Sequence, residues 1–308
     1  MIAWVFPGQG SQSVGMGKSI YDAYPVAREV FQEVDEVLKQ NLTKIIFEGP
    51  DQELMLTENT QPALMTVSMA IVRVLQKEAG QKPKFLAGHS LGEYAAHAVG
   101  ESFSLADTAR LLKIRGKAMQ AAVPVGVGGM AALLGPTVDQ TQEIVQEAAQ
   151  DQTCEIANDN CPGQVVISGH KEAIDRAIEI AKQKGIKRAV LLPVSAPFHC
   201  SLMRPAALEM AEVLKDTVIM APNIAILANV SVEVVKEPEQ IRTALVEQVT
   251  GRVRWRESIL ALKTAGVRKI VEIGAGKVLS GLTKRIDEEL ESLSLNTPED
   301  LDAYIKNI

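Results

Sequence analysis

A chain of 308 residues, 46% hydrophobic and 23% charged, is globular in composition, which excludes wholesale disorder, and its length predicts about two domains or one large one with an insertion. Thirty-two basic against 38 acidic side chains leave a formal charge of −6, so no global basic field draws the protein to nucleic acid. Glycine and alanine-rich stretches favour an α/β or helical core, and only 4% aromatics argue against an all-β sandwich. Ile2 to Phe6 is a short apolar run ending in Pro-Gly-Gln-Gly, a buried strand feeding a loop. A long helix is expected over about Ser19 to Gln40. Thr60 is placed to cap a second helix, with Pro62 in its first turn and Gly80 just past its end. Lys84 to Ala87 reads as a strand that turns at Gly88 to Gly92 straight into a helix. Ser104 and Asp107 form a capping-box pattern for a helix to about Ala122.

From Gly126 the pattern changes. Strands over Met130–Leu134, Cys154–Ala157, Gln164–Ser168 and Arg188–Leu192 alternate with helices over Thr137–Ala149 and Lys171–Lys184. This β-α-β-β-α-β order is ferredoxin-like, and it predicts an inserted domain over 126–194 within a large domain made of 1–125 and 195–308. Beyond it come a strand at Ile224–Ala228, helices at Pro238–Thr250 and Arg256–Ala265, a strand at Lys269–Ile273 and a helix from Lys277. The polar residues from about Ser292 are expected to be loosely attached.

Three cysteines, Cys154, Cys161 and Cys200, are odd in number and have no C-x-x-C spacing, which argues against a disulfide framework or a zinc site and for a reducing compartment. Met1 to Pro7 lacks the basic start and long apolar run of a signal peptide, and no stretch reaches the roughly 18 apolar residues of a membrane helix. The expectation is a soluble, cytoplasmic protein with no membrane or nucleic-acid partner.

Gly88-His89-Ser90-Leu91-Gly92 matches G-x-S-x-G between a strand and a helix. The glycines allow a sharp turn that lifts the Ser90 hydroxyl clear of the sheet, and the Leu91 N–H points where an oxyanion would form. Of the four histidines, His89 lies inside the turn, His97 is about two helical turns beyond Ser90, and His170 sits at a helix start where capping explains it. His199, in a loop after a strand, is left as the base. No acid offers itself as a third member, so main-chain carbonyls or an amide are expected to orient the imidazole. Arg115 has only apolar neighbours one turn away, Leu111, Leu112, Ala118 and Met119, and a buried guanidinium requires an anion. That anion is either an internal carboxylate or a substrate carboxylate held by the fork. Gln9, between Gly8 and Gly10, is placed to aim a donor at the site. Neither this loop nor Gly17-Lys18-Ser19 nor Gly274-Ala275-Gly276 completes a nucleotide-binding fingerprint: Ser13 and Gln12 stand where the first two need glycine, and the last lacks its third glycine.

Taken together, these segments resemble the acyltransferase family of fatty acid and polyketide synthesis, malonyl-CoA:acyl carrier protein transacylases among them. The matching stretches are Phe6-Pro7-Gly8-Gln9-Gly10-Ser11-Gln12, Gly88 to Tyr94, Arg115-Gly116 with Met119-Gln120, and Ala157-Asn158 through Pro162 to Gly169. Ser195-Ala196-Pro197-Phe198-His199, Val253-Arg254-Trp255, and Glu272-Ile273-Gly274 with Gly276 to Leu279 complete the set, in family order over nearly the whole chain. Ala275 and Gly251-Arg252 depart from the usual pattern, in which a proline and a Ser-Pro stand there.

The resemblance implies an α/β-hydrolase-like large domain with a parallel sheet and a ferredoxin-like insertion. It implies Ser90 as nucleophile, His199 as base, Gln9 and Leu91 at the oxyanion hole, Arg115 on a malonyl carboxylate, Gln248 beside the histidine and Asn158 near the cleft. It also implies malonyl-CoA and phosphopantetheinylated acyl carrier protein as substrates, with no metal or bound cofactor. Lys182, Lys184, Lys187 and Arg188, or Arg252, Arg254 and Arg256, are candidate docking cations for an acidic carrier protein. A serine esterase or thioesterase shares G-x-S-x-G but calls for an acid between Ser and His and an HGGG-like loop. A non-catalytic carrier-binding module gives no reason for Ser90 and His199 to occur together.

Overall fold

The computed structural model describes residues 1–194 and 196–307. Ser195, the first residue of one resemblance motif and of a predicted domain segment, and Ile308 lie outside the described residues. Ile2–Phe6 forms β1. After it the chain makes α1 (Lys18–Ala23) and α2 (Pro25–Leu38), where one long helix was expected. The break falls at Tyr24, whose extended φ of −123° and ψ of 116° follow from the proline after it, while Pro25 opens the next helix at its first position. Short helices α3 (Leu42–Glu48) and α4 (Asp51–Met55) precede α5 (Thr57–Glu78). Thr60 does not cap α5: the helix starts a turn earlier, carries Pro62 inside it, and the Thr60 hydroxyl donates to the Leu54 carbonyl.

Then come β2 (Phe85–Gly88), α6 (Gly92–Val99) and α7 (Leu105–Ala121), capped as expected by Ser104, whose Oγ accepts from the Asp107 N–H at 3.0 Å. The next unit is β3 (Gly128–Leu134), α8 (Val138–Ala149), β4 (Cys154–Cys161), β5 (Gln164–His170), α9 (Lys171–Gln183) and β6 (Arg188–Leu191). The chain closes with α10 (Arg204–Lys215), β7 (Ala225–Leu227), β8 (Val234–Val235), α11 (Pro238–Thr250), α12 (Trp255–Thr264), β9 (Lys269–Ile273), α13 (Val278–Ile286), β10 (Glu291–Leu295) and α14 (Pro298–Lys306). The last two elements correct the expectation of a loose end: β10 pairs in parallel with β9, and α14 buries Leu301 and Tyr304.

Two sheets result. The larger has the order β10-β9-β1-β2-β7-β8 and is parallel except for the β7–β8 pair. Both faces of β1 are buried: Trp4 and Phe6 pack with α2, α5 and α7, while Ala3 and Val5 pack with Trp255 and Ile259 of α12 and Leu279 and Leu282 of α13. Helices on both faces are what a near-continuous apolar strand in a parallel sheet requires. The smaller sheet, β4-β5-β3-β6, is antiparallel throughout, and α8 and α9 cover one face through Ile144, Val145, Ala173 and Ile174. Its other face carries Met130 and Val166 into the core of the large sheet's helices. β4 runs four residues further than its expected end. Asn158, Asp159 and Asn160 read as loop residues, but they bond across to the larger unit. Asp159 N–H donates to the Val253 carbonyl at 2.9 Å and Val253 N–H to the Ala157 carbonyl at 2.8 Å.

Candidate active site

β1 and β2 pair with Phe6 opposite Gly88, so the loops bearing Gln9 and Ser90 leave the sheet side by side. The turn after β2 is tight. A Cβ on Gly88 would lie 1.9 Å from the Gly92 carbonyl carbon, so strand and helix meet where only glycine fits. Ser90 takes the left-handed φ of 53° at the apex. Asn229, in the loop after β7, holds that strained turn: its Oδ1 accepts from the Ser90 N–H at 2.8 Å and its Nδ2 donates to the Gly88 carbonyl at 2.6 Å. Replacing Gly88 by alanine should therefore displace Ser90 by more than 1 Å and slow acylation about 10²-fold, with about 1–3 kcal/mol of overpacking. Acylation rate and thermal unfolding measured together check this; an unchanged rate would show that the turn yields without moving the serine.

Ser90 Oγ lies 2.8 Å from His199 Nε2. On the other side of the ring, His199 Nδ1 lies 2.9 Å from the Gln248 carbonyl and 3.2 Å from that of Gly251. Carbonyls only accept, so Nδ1 carries the proton and Nε2 is free to take one from Ser90. Burial, helped by the nearby Arg115 charge, pushes the His199 pKa down to about 3, so the ring is neutral at any ordinary pH and its Nε2 lone pair is unprotonated. The other histidines stand apart from the serine oxygen. His89 Nε2 is 2.9 Å from Asn160 Oδ1. His97 is buried against Phe103 beside Ser102. His170 occupies the N-cap of α9 but does not cap it with its side chain; its Nδ1 accepts from the Thr153 N–H.

Arg115 is fully buried, as its helix pattern predicts, yet the internal carboxylate considered for it is not its partner. Nη1 donates to Gln61 Oε1 at 2.8 Å, and Nη2 donates to Gln248 Oε1 at 2.7 Å and to Ser90 Oγ at 3.2 Å. Among the described residues no carboxylate lies within ion-pair distance of it. Behind this fork sits Glu93, in the first turn of α6 and wholly buried. Burial pushes its carboxyl up to about 7, against the pull of hydrogen bonds from Gln248 and Asn229 and of the Arg115 charge.

A cavity of about 480 Å³ opens over Ser90, walled by Gln9, Leu91, Arg115 and His199 from the large unit and by Met130, Asn158 and Val166 from the small sheet. Leu91 is the N-cap of α6 and lines the cavity, so its N–H lies outside the intrahelical ladder at the positive end of the helix. Every site residue expected from the sequence thus lies in or against one cleft. Gln61, Glu93 and Asn229 were missed. Glu93 directly follows the turn and Gln61 ends the polar opening of α5 just before Pro62, but a polar residue in a sequence does not reveal its partner. Of the docking candidates, Arg256 is instead a bolt between the units, bidentate on the buried Asp159 carboxylate, and Arg252 and Arg254 share Glu257. Lys182 and Lys184 pair with helix carboxylates, leaving Lys187 and Arg188 exposed without an ion pair among the described residues. No cluster of three or more His, Cys, Asp or Glu among the described residues is placed to hold a metal ion. No described helix is long and apolar enough to cross a membrane.

Residues 3–294 match the family described as the acyl transferase domain. The chain is 43% identical over 308 residues to the malonyl CoA-acyl carrier protein transacylase of Bacillus subtilis (strain 168), covering 100% of this chain and 97% of that protein. The crystal structure of acyl-carrier-protein S-malonyltransferase from Bartonella henselae superposes with a TM-score of 0.97 at 52% identity, over 99% of this chain and 98% of that one. A malonyl-transacylase solved in complex with its type II PKS acyl-carrier protein matches with a TM-score of 0.98 at 42% identity, over 100% and 99% of the two chains.

Proposed function

The chain belongs to the acyl transferase domain family, and from that premise we propose that it moves a malonyl group from malonyl-CoA to the phosphopantetheine thiol of acyl carrier protein, supplying extender units for fatty acid synthesis. The observation that carries this reading is the Arg115 fork lying 3.2 Å from the serine oxygen. An acyl group bound for attack by Ser90 has its far end beside a buried cation, which suits an acyl chain ending in a carboxylate. A simple esterase has no use for that cation, and here the imidazole rests on main-chain carbonyls where a hydrolase triad has an acid.

In this reading His199 Nε2 takes the Ser90 proton as Oγ attacks the thioester carbon. The oxyanion is held by Gln9 and the Leu91 N–H. The carbon–sulfur bond breaks, His199 returns the proton to the departing CoA thiol, and a malonyl-serine ester remains. The carrier thiol then gives its proton to His199 and attacks the ester, and Ser90 leaves with that proton. Gln248 supports His199 through its carbonyl and Arg115 through its amide, and Asn158 lines the wall facing the serine. The division into 1–125 with 195–308 and an inserted 126–194 accords with this layout, in which each unit supplies one wall of the cleft. The free, buried cysteines support a cytoplasmic setting.

The test is Arg115→Ala with two substrates. A charged hydrogen-bonded contact is worth about 1.5–3 kcal/mol, so kcat/KM for malonyl-CoA should fall roughly 10- to 150-fold. Acetyl-CoA lacks the carboxylate and should lose little. Equal losses for both, with a large drop in melting temperature, would assign Arg115 to the fold and remove the basis for malonyl selectivity.

A further inference from the structure

Gln248 is held at both ends of its side chain. Its Oε1 accepts from Arg115 Nη2 at 2.7 Å, while its Nε2 donates to Glu93 Oε2 at 2.6 Å and to the Ser90 carbonyl at 3.0 Å. A side-chain amide has one accepting end and one donating end, and its neighbours decide which way it faces. A guanidinium only donates and an ionised carboxylate only accepts. Placed on either side of Gln248, they admit one orientation of the amide. The same Glu93 oxygen also takes the Asn229 N–H at 3.1 Å, so the carboxylate is fixed to the loop that staples the Ser90 turn. Above the value of about 7 to which burial raises the Glu93 carboxyl, Glu93 and Arg115 are opposite charges joined through one amide in a wholly buried network. Apart from the serine, the described residues that accept hydrogen bonds from the Arg115 fork do so through neutral amide oxygens, those of Gln61 and Gln248, while the guanidinium lies over the Tyr94 ring.

We propose that Glu93 is a positioning residue for carboxylated acyl groups: through the Gln248 amide its carboxylate fixes the Arg115 fork beside Ser90 and balances its charge before substrate arrives. This rests on the malonyl-transfer reading and deepens it. If the amide turns over, its NH₂ meets Arg115 Nη2 donor to donor, and the fork loses the contact that aims it at the cleft. The Gln248 main-chain carbonyl that holds His199 is untouched by such a flip. The effect therefore falls on binding of the acyl carboxylate and spares proton transfer.

The experiment measures transfer from malonyl-CoA and from acetyl-CoA by the wild type, Glu93→Gln, Arg115→Ala and the double variant, each with its melting temperature. Glu93→Gln keeps the shape but removes the charge and the acceptor-only character. It should raise KM for malonyl-CoA about 10-fold, with kcat and the acetyl-CoA parameters changed by no more than about 2-fold. In the Arg115→Ala background it should add nothing, because it acts through that residue. An unchanged KM in a folded Glu93→Gln protein, equal losses with both acyl groups, or additive losses in the double variant overturns the proposal. If Glu93→Gln does not fold, Glu93→Asp draws the carboxylate back from Gln248 Nε2 and must show the same malonyl-specific rise in KM; its absence overturns the proposal equally. A wild-type protein with no preference for malonyl-CoA would instead overturn the functional reading, so the two failures are distinguishable.

Discussion

Mixed with malonyl-CoA, the protein should gain the mass of one malonyl group, and peptide mapping should place it on Ser90. The hydroxyl stands at a left-handed turn, clear of the sheet, with the imidazole 2.8 Å away to take its proton. Ser90→Ala should abolish the label and lower transfer by about 10⁴-fold or more, since loss of the nucleophile in a serine hydrolase costs on the order of 10⁶ in kcat. The fold should survive the change. Alanine pays the same backbone strain as serine at this φ, and Arg115 keeps its bonds to Gln61 and Gln248. A label on another residue, or turnover that persists in the variant, would remove Ser90 from the mechanism.

His199→Ala should slow acylation by about 10²- to 10⁴-fold, the contribution of a well-placed proton acceptor. His97→Ala and His170→Ala should leave the rate nearly unchanged, because neither ring bonds to the serine. The same residue sets a pH signature. A histidine whose pKa is depressed to about 3 is already the free base well below neutrality, so protonation of His199 cannot be what slows the enzyme near its ordinary pKa. With acetyl-CoA, which does not report on Arg115, acylation should stay level from about pH 8 down to about pH 5. An acid limb centred on the 6.5 of an ordinary imidazole would show that His199 is far more solvated than its surroundings indicate.

The sequence carried the nucleophile turn well, because strand, G-x-S-x-G and helix are contiguous and their geometry is local. The buried face of α7 was equally readable from Leu111, Leu112, Ala118 and Met119, and it placed Arg115 correctly inside. What α7 could not reveal was the partner. Gln61 is 54 residues away and Gln248 is 133 residues away, and amide oxygens leave no charge pattern to pair with. The insertion's order of elements was legible from periodicity, but the end of β4 was not. Asn158, Asp159 and Asn160 have low strand propensity and are kept extended by bonds to distant residues, a tertiary override of local preference. Tyr24 shows the opposite error: one helix was expected across it, and the proline that follows breaks that helix in two.

The bridge between β4 and Val253 has a consequence for solubility. A sheet edge exposes unpaired N–H and C=O groups, a template on which another chain can add a strand. The small sheet has two such edges. β6 is only four residues long and opens with a charged arginine, which makes it a poor template. β4 is eight residues long, and the chain covers part of its edge with its own 253 segment. That segment lies two residues from Gly251, whose carbonyl helps hold the His199 ring. One short segment thus helps seat the base through Gly251 and covers the sheet edge through Val253. A change that loosens Val253 from β4 uncovers an open strand edge as it loosens the segment beside the histidine, so damage at this position would surface as lost soluble protein as well as lost rate.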